Sequence, residues 1–265
     1  MTDDLLSVAL EAAEAGAEAA VGWQRRIGEL RIEEKGGPYD LVSQADQAAE
    51  AAIRKVLAQV RPDDQVLGEE GGLNDAVGDV RWVVDPIDGT TNFLYGRPDW
   101  AVSVAACRAD SGELLAGAVV EPVSGRRTWA GAGIGAWSNG ARLRPYALND
   151  LQRALVEVHL GRGAWRARAG EVIDALLPNV RDVRRTGSVA CALACCATGR
   201  AEAAWLPSVQ PWDVAAGVLI VRESGWLVGD LTGFTPDGLP CTGEILAAPA
   251  PLWEPLRDLL VAAYE

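Results

Sequence analysis

The sequence predicts a mixed α/β fold of the α+β kind, with a more antiparallel first half and a layered second half. Three observations predict it. Apolar and alanine positions at helical spacing open the chain. Between residues 100 and 137, short β-prone runs are separated by turn residues, as in an antiparallel meander. From about residue 154, strand-like and helix-like runs alternate, the pattern of helices layered on a sheet. The 265 residues are read as one domain, 1–265, with an N-terminal half to about 145 and a C-terminal half from about 146.

Each element has a local reason. Residues 5–26 carry apolar positions on one face and Glu11, Glu14 and Glu18 on the other, so a helix is expected. The stretch 28–46 is broken by Gly36, Gly37 and Pro38 and reads as a strand or hairpin leading to a loop. A second helix is expected from about Asp46 to Val60, stopped by Pro62. Val66-Leu67 reads as a short strand, residues 73–80 as a polar loop, and 81–85 as a strand. Runs at 101–107, 114–122, 126–131 and 135–139 form the meander. Then come strands at 154–160, 180–184, 202–206 and 244–248, with helices near 168–177, 187–199, 212–224 and 251–264.

Composition narrows the function. A net charge of −13 argues against a broad nucleic-acid surface, which needs basic patches. No tract of 18 apolar residues appears, and the acidic N-terminus is unlike a signal peptide, so a cytoplasmic protein without membrane partners is expected. Of the five cysteines, Cys191, Cys195 and Cys196 sit in an Ala-rich, helix-like run and read as small packed hydrophobes. The one histidine, His159, reads as a strand residue, so a mechanism without a histidine base is expected.

The most informative stretch is WVVDPIDGTTNF, residues 82–93. An apolar strand ends in Asp85. Pro86 fixes a bend, which turns the Ile87 carbonyl toward a cation while its side chain faces the core. Asp88 returns to the same side. Gly89 lets backbone approach an anion, and Thr90 and Thr91 are placed to cap the next turn. Taken alone, D-P-x-D-G also reads as an ordinary turn after a strand. Three companions accompany it. Glu69-Glu70 lies between glycines after a short apolar run. Asp46 ends DLVSQAD at a helix start, and Asp213 opens a helix in PWDVAAG; each also reads as a simple helix cap. Carboxylates at these places suit a hard cation such as Mg²⁺, which takes oxygen ligands.

Together these motifs resemble the inositol monophosphatase family, within the lithium-sensitive, Mg²⁺-dependent sugar-phosphate phosphatases. The likeness runs in order from about Lys35 to Gly225. It implies an αβαβα layered sandwich of the inositol monophosphatase and fructose-bisphosphatase type, and a homodimer. It implies two or three Mg²⁺ ions. Glu69, Asp85 and the Ile87 carbonyl match ligands of the first, and Asp85, Asp88 and Asp213 those of the second. A weaker third would share Glu69. Gly89 and Thr90 match the phosphate-binding turn. Thr90 with Asp46, near Glu70, matches the group that activates water. Lys35 matches a basic loop residue, and Gly187, Ser188 and Asp213 match the substrate side.

The implied activity is hydrolysis of a small phosphorylated alcohol, an inositol monophosphate or a sugar phosphate, by metal-activated water. One departure stands out. The family's inositol-contacting glutamate, seven residues before the W-D aspartate, is Leu206 here. A leucine accepts no hydrogen bond, so the alcohol is left open. Histidinol phosphate, fructose bisphosphate and a nucleotide 3′-phosphate are alternatives, and a non-catalytic phospho-ligand or protein-binding relative is the rival from another class.

Overall fold

A computed structural model describes residues 2–30, 32–34, 41–144, 148–240 and 242–264. Lys35 and Cys241 lie outside the described residues. Helix α1 (Thr2–Gln24) leads through a 3₁₀ turn to the antiparallel pair β1 (Ile32–Glu34) and β2 (Leu41–Ser43), then to α2 (Gln44–Val60). Ser43, not Asp46, caps α2. The Ser43 hydroxyl accepts from the Ala45 N–H, and Asp46, one turn in, accepts from the Ser43 N–H at 2.8 Å. This reciprocal box satisfies N–H groups that a helix start otherwise leaves orphaned.

The first sheet is built from β3 (Gln65–Gly68), β4 (Gly72–Leu73), β5 (Val80–Asp88), β6 (Ala101–Arg108), β7 (Leu114–Glu121), β8 (Arg126–Gly131), β9 (Gly135–Ser138) and β10 (Ala141–Arg142). Its order is β10-β9-β8-β7-β6-β5-β3-β4, antiparallel except where β3 runs parallel to β5. The meander expected at 100–137 is β6 to β9. A short helix, α3 (Thr90–Leu94), follows β5.

The second half holds β11 (Leu155–Val158), α4 (Gly163–Ala167), α5 (Ala169–Leu176), β12 (Asp182–Arg184), α6 (Val189–Ala197), β13 (Ala203–Pro207), α7 (Pro211–Glu223), β14 (Leu227–Asp230), β15 (Gly233–Phe234), β16 (Glu244–Ala248) and α8 (Ala250–Tyr264). Its six strands order as β12-β11-β13-β16-β14-β15. The pairs β11–β12 and β11–β13 are parallel; the rest are antiparallel. Sequence periodicity gives no sign of β14 and β15, nor of α4; the helix expected near 168–177 is α5.

Five layers result. α1 and α2 pack on one face of the first sheet, around Leu5, Ile53, Leu57 and Trp82. α6 and α7 fill the space between the two sheets, with Leu193, Ile220 and Leu206. α5 and α8 cover the outer face of the second sheet, around Leu176, Trp205 and Leu256. This is the αβαβα sandwich. Each fully buried Leu or Ile contributes on the order of 1.5–3 kcal/mol. The central layer depends on small residues. A Cβ on Gly217 of α7 would lie 2.6 Å from Leu193 of α6, so only glycine permits that approach. Cys191, Cys195 and Cys196 are buried in the same layer, where burial raises their thiol pKa values, that of Cys195 to about 12. They are packed hydrophobes, as their setting in the sequence predicts. Among the described residues, no helix is long and apolar enough to cross a membrane.

Candidate active site

The strand β5 does not stop at Asp85. It continues through Pro86 to Asp88, with its pairing to β6 shifting register between Asp85 and Asp88. Such a bulge re-aims side chains. Ile87 turns its side chain into the core, 1% exposed, while both flanking carboxyls face one cleft. The Ile87 N–H donates to Asp85 Oδ1 at 3.0 Å, which fixes that carboxyl against its own backbone.

Gly89 is the cap of α3, with φ of 93°, so Thr90 and Thr91 are not capping residues but the first residues of the helix. A side chain at Gly89 would be strained and would sit 3.1 Å from the Asp99 carbonyl. Freed from capping, the Thr90 hydroxyl lies 3.3 Å from Asp46 Oδ1 and 3.2 Å from the Ile87 carbonyl oxygen. Asp46 is 1% exposed and stands behind Thr90 rather than on the cleft wall.

Asp88 is held from the second half of the chain. Its Oδ2 accepts from the Ser188 hydroxyl at 2.6 Å and the Ala190 N–H at 2.5 Å, at the start of α6. Asp213 comes from the first turn of α7, where it accepts from the Gln210 N–H at 2.8 Å. Gln210 is the cap there, so Asp213, like Asp46, belongs to a capping box without being the cap itself. Asp85, Asp88 and Asp213 each offer a carboxylate oxygen within 4.8 Å of the others.

Three acids this close strain the charged state. Burial first, then the charges of Glu69, Asp88, Asp213 and Asp46, raise the pKa of Asp85 well above the usual carboxylate range. Burial pushes Asp88 up to about 7 against its hydrogen bonds from Ser188 and Ala190. Burial, then Asp88, pushes Asp213 up to about 7. Two unit charges 4 Å apart repel by about 4 kcal/mol near a protein surface. A divalent cation removes that repulsion, and an all-oxygen donor set fits a hard one. The donor chemistry therefore fits a metal ion at this cluster.

The cleft has a volume of about 470 Å³. Glu69, Asp85, Ile87, Asp88, Gly89, Thr90, Gly187 and Asp213 line it, all of them expected at the site from the motifs. Ser188 acts through Asp88. Glu70 is not among the lining residues; its backbone N–H donates to Glu50 Oε2 at 2.8 Å. Leu206 does not face the cleft. It is 1% exposed, in the apolar layer under α6 and α7. Ser208, two residues on, does line the cleft, in a left-handed conformation with φ of 61°. His159 lies just past β11 rather than in it and also lines the cleft; burial lowers its pKa, which favours the neutral ring.

Besides His159, two features escape the sequence motifs. The first is Glu50, buried at 3% beneath the Glu69-Glu70 turn. It accepts from the Glu70 and Gly71 N–H groups and from Arg54 Nε at 2.7 Å. Glu50→Ala is expected to cost about 3 kcal/mol, because Arg54 and two N–H groups lose their acceptor. It should also weaken metal affinity through Glu69, and urea unfolding with metal titration checks both. The second is an arginine rim: Arg162 and Arg166 at α4 and Arg185 past β12.

Comparison with known proteins agrees with this geometry. The profile of the inositol monophosphatase family matches residues 1–263. The chain belongs to the inositol monophosphatase family. It is 39% identical over 229 residues to an inositol-1-monophosphatase of Rhizobium meliloti, covering 84% of each chain. It is 37% identical over 240 residues to the Nus factor SuhB of Pseudomonas aeruginosa, covering 86% of each. Among solved structures, the extragenic suppressor protein suhB of Bartonella henselae superposes with a TM-score of 0.91 at 32% identity, over 97% of this chain and 98% of that one. As a member of the inositol monophosphatase family, the protein is a phosphoric monoester hydrolase.

Proposed function

We propose that the protein is a Mg²⁺-dependent phosphomonoesterase acting on a small phosphorylated alcohol, of the inositol monophosphate or sugar phosphate kind. The observation that carries this reading is the gathering of Asp85, Asp88 and Asp213 oxygens within 4.8 Å at the cleft. Residues 1–265 work as one phosphatase domain, with a first half to about 145 and a second from about 146. Both halves contribute to the Asp88 contact, since Ser188 and Ala190 hold that carboxylate. By family likeness the protein is taken as a cytoplasmic homodimer.

Glu69, Asp85 and the Ile87 carbonyl would hold one ion, and Asp85, Asp88 and Asp213 the other. When bound, such ions make hydroxide available near neutral pH and stabilise the leaving alkoxide. The chain's own residues do the rest. The Gly89-Thr90 turn presents backbone N–H groups to the phosphoryl oxygens. Asp46 accepts from the Thr90 hydroxyl, so a proton that Thr90 takes from the attacking water would be matched by passage of the Thr90 proton to the Asp46 carboxylate. Glu70 is assigned to the same water, and Lys35 to the phosphate. Gly187 is assigned to the substrate side; its φ of 90° lets the chain turn closely against Asn92, which a Cβ there would meet at 3.0 Å. Asp88 and Asp213, fixed by Ser188 and Gln210, do not move as charge shifts to the leaving oxygen, so little reorganisation opposes the reaction.

The test is phosphate release from a panel of phosphomonoesters, with and without Mg²⁺. Mg²⁺-dependent release from at least one small phosphorylated alcohol is expected. Release from none, with the protein folded, contradicts the proposal.

A further inference from the structure

His159 has a hydrogen-bonding capacity that the reaction at phosphorus does not use. It follows β11 directly, and its backbone N–H donates to the Trp205 carbonyl at 2.9 Å, which carries the parallel pairing of β11 with β13 one residue further. Ring Nδ1 lies 3.2 Å from the carbonyl oxygen of Pro207, the last residue of β13. A carbonyl only accepts, so Nδ1 carries the proton, and in a neutral ring Nε2 is then an acceptor. Burial, with the charges of Arg185, Arg162 and Arg166, outweighs the Pro207 bond and disfavours a second proton.

That acceptor is left open. Nε2 has no hydrogen-bond partner among the described residues, and it is not one of their sealed, unpartnered polar atoms. The ring lines the cleft of about 470 Å³. It also borders a crevice of about 10 Å³ beside Trp165 and Trp205, which has no room for more than a water. Ser208 directly follows β13 and lines the same cleft. β11 and β13 are parallel neighbours, so both residues lie at the C-terminal ends of adjacent strands, the edge at which open α/β sheets hold ligands.

The metal cluster does not claim the imidazole. Among the described residues, Asp85, Asp88 and Asp213 gather their oxygens within 4.8 Å, and His159 joins no such group. The phosphoryl oxygens do not suit it either, because an ionised phosphate has no proton to give a neutral acceptor. A hydroxyl does.

On the phosphomonoesterase reading above, we propose that His159 determines specificity for the leaving alcohol, its Nε2 accepting from a free hydroxyl of that alcohol. The residue reads the alcohol and leaves the phosphate to the carboxylate cluster and the Gly89-Thr90 turn.

Two substrate pairs test this, in Mg²⁺ and on the full chain. The first is myo-inositol 1-phosphate with cyclohexyl phosphate, the second glycerol 2-phosphate with isopropyl phosphate. Within each pair only the hydroxyls differ. Wild type is expected to favour the hydroxylated member in kcat/KM. His159→Asn keeps an N–H near Nδ1 for Pro207 and removes the acceptor at Nε2. It should shrink the preference by about threefold to tenfold, the worth of one neutral hydrogen bond, through a loss on the hydroxylated member. His159→Gln, whose amide oxygen reaches toward the place of Nε2, should restore part of the preference. The ratio within a pair is read even if a variant's thermal midpoint falls, because a loss of folded enzyme lowers both members alike. No preference in wild type, or one that His159→Asn leaves intact, would overturn this proposal while the phosphatase reading stands. Equal losses on both members would make His159 structural and overturn it as well. Release from none of the four would contradict the phosphatase reading and this proposal with it.

Discussion

Asp85→Asn is expected to abolish Mg²⁺-dependent phosphate release while raising the thermal midpoint of the metal-free protein. The two effects have one cause. Asp85 is 1% exposed, and its charge is disfavoured by burial and by Glu69, Asp88, Asp213 and Asp46. Asparagine keeps the shape, and its oxygen can still accept from the Ile87 N–H, a 3.0 Å bond in the wild type. What it loses is the anionic charge and the second anionic oxygen that would bridge two ions. Removing one preorganised charged group from a reaction centre costs about 10²–10³-fold, and losing an ion that several groups share should cost at least about 10³-fold. The metal-free protein, by contrast, loses a source of repulsion. Phosphate release and thermal unfolding in a chelator check the two halves. A variant with normal turnover would refute the metal assignment. A variant both inactive and less stable would mean that Asp85 is structural.

Stability of the metal-free protein should fall as pH rises from about 4 to about 7, with Mg²⁺ restoring most above that window. In the folded state Asp88 and Asp213 each have a pKa raised from 3.8 to about 7, and that of Asp85 is also raised. Between those values the folded chain binds more protons than the unfolded chain. Protonation therefore favours folding at the acid end, and the benefit is lost as pH passes the folded pKa values. The shared titration makes this one coupled loss, on the order of a few kcal/mol. Bound cations replace the protons, so added Mg²⁺ should raise the thermal midpoint more at about pH 8 than at about pH 5. A stripped protein whose midpoint rises through the same window, or a Mg²⁺ effect larger at acid pH, would contradict the account.

Most of the carboxylates and turn residues that line this cleft are legible in the sequence because they are close together in the chain or carried by motifs. Asp85, Ile87, Asp88, Gly89 and Thr90 fall within six residues, and the structure puts all of them on the cleft. The layered architecture was legible for a similar reason, since the period of apolar residues changes between the halves. Caps were misread where two acids looked alike. DLVSQAD holds the Ser43–Asp46 spacing of a capping box, yet Asp46 looked like the cap itself. The strand through Pro86 was cut short because proline usually ends a strand, whereas a bulge accommodates it. Glu50, His159 and the arginine rim were not legible. They lie far in sequence from the motif at 82–93, each is unremarkable locally, and only the packing of the second sheet and of α2 brings them to the site. Leu206 shows the opposite limit. Its position matched a motif, but strand alternation turns its side chain into the core.

The most direct measurement is a Mg²⁺ titration of phosphate release by metal-stripped wild-type protein, on the best substrate from the panel. If the Asp85, Asp88 and Asp213 cluster holds the ions that drive the reaction, release is absent in chelator and returns in proportion to Mg²⁺ occupancy. Release at the full rate in chelator would contradict the central claim.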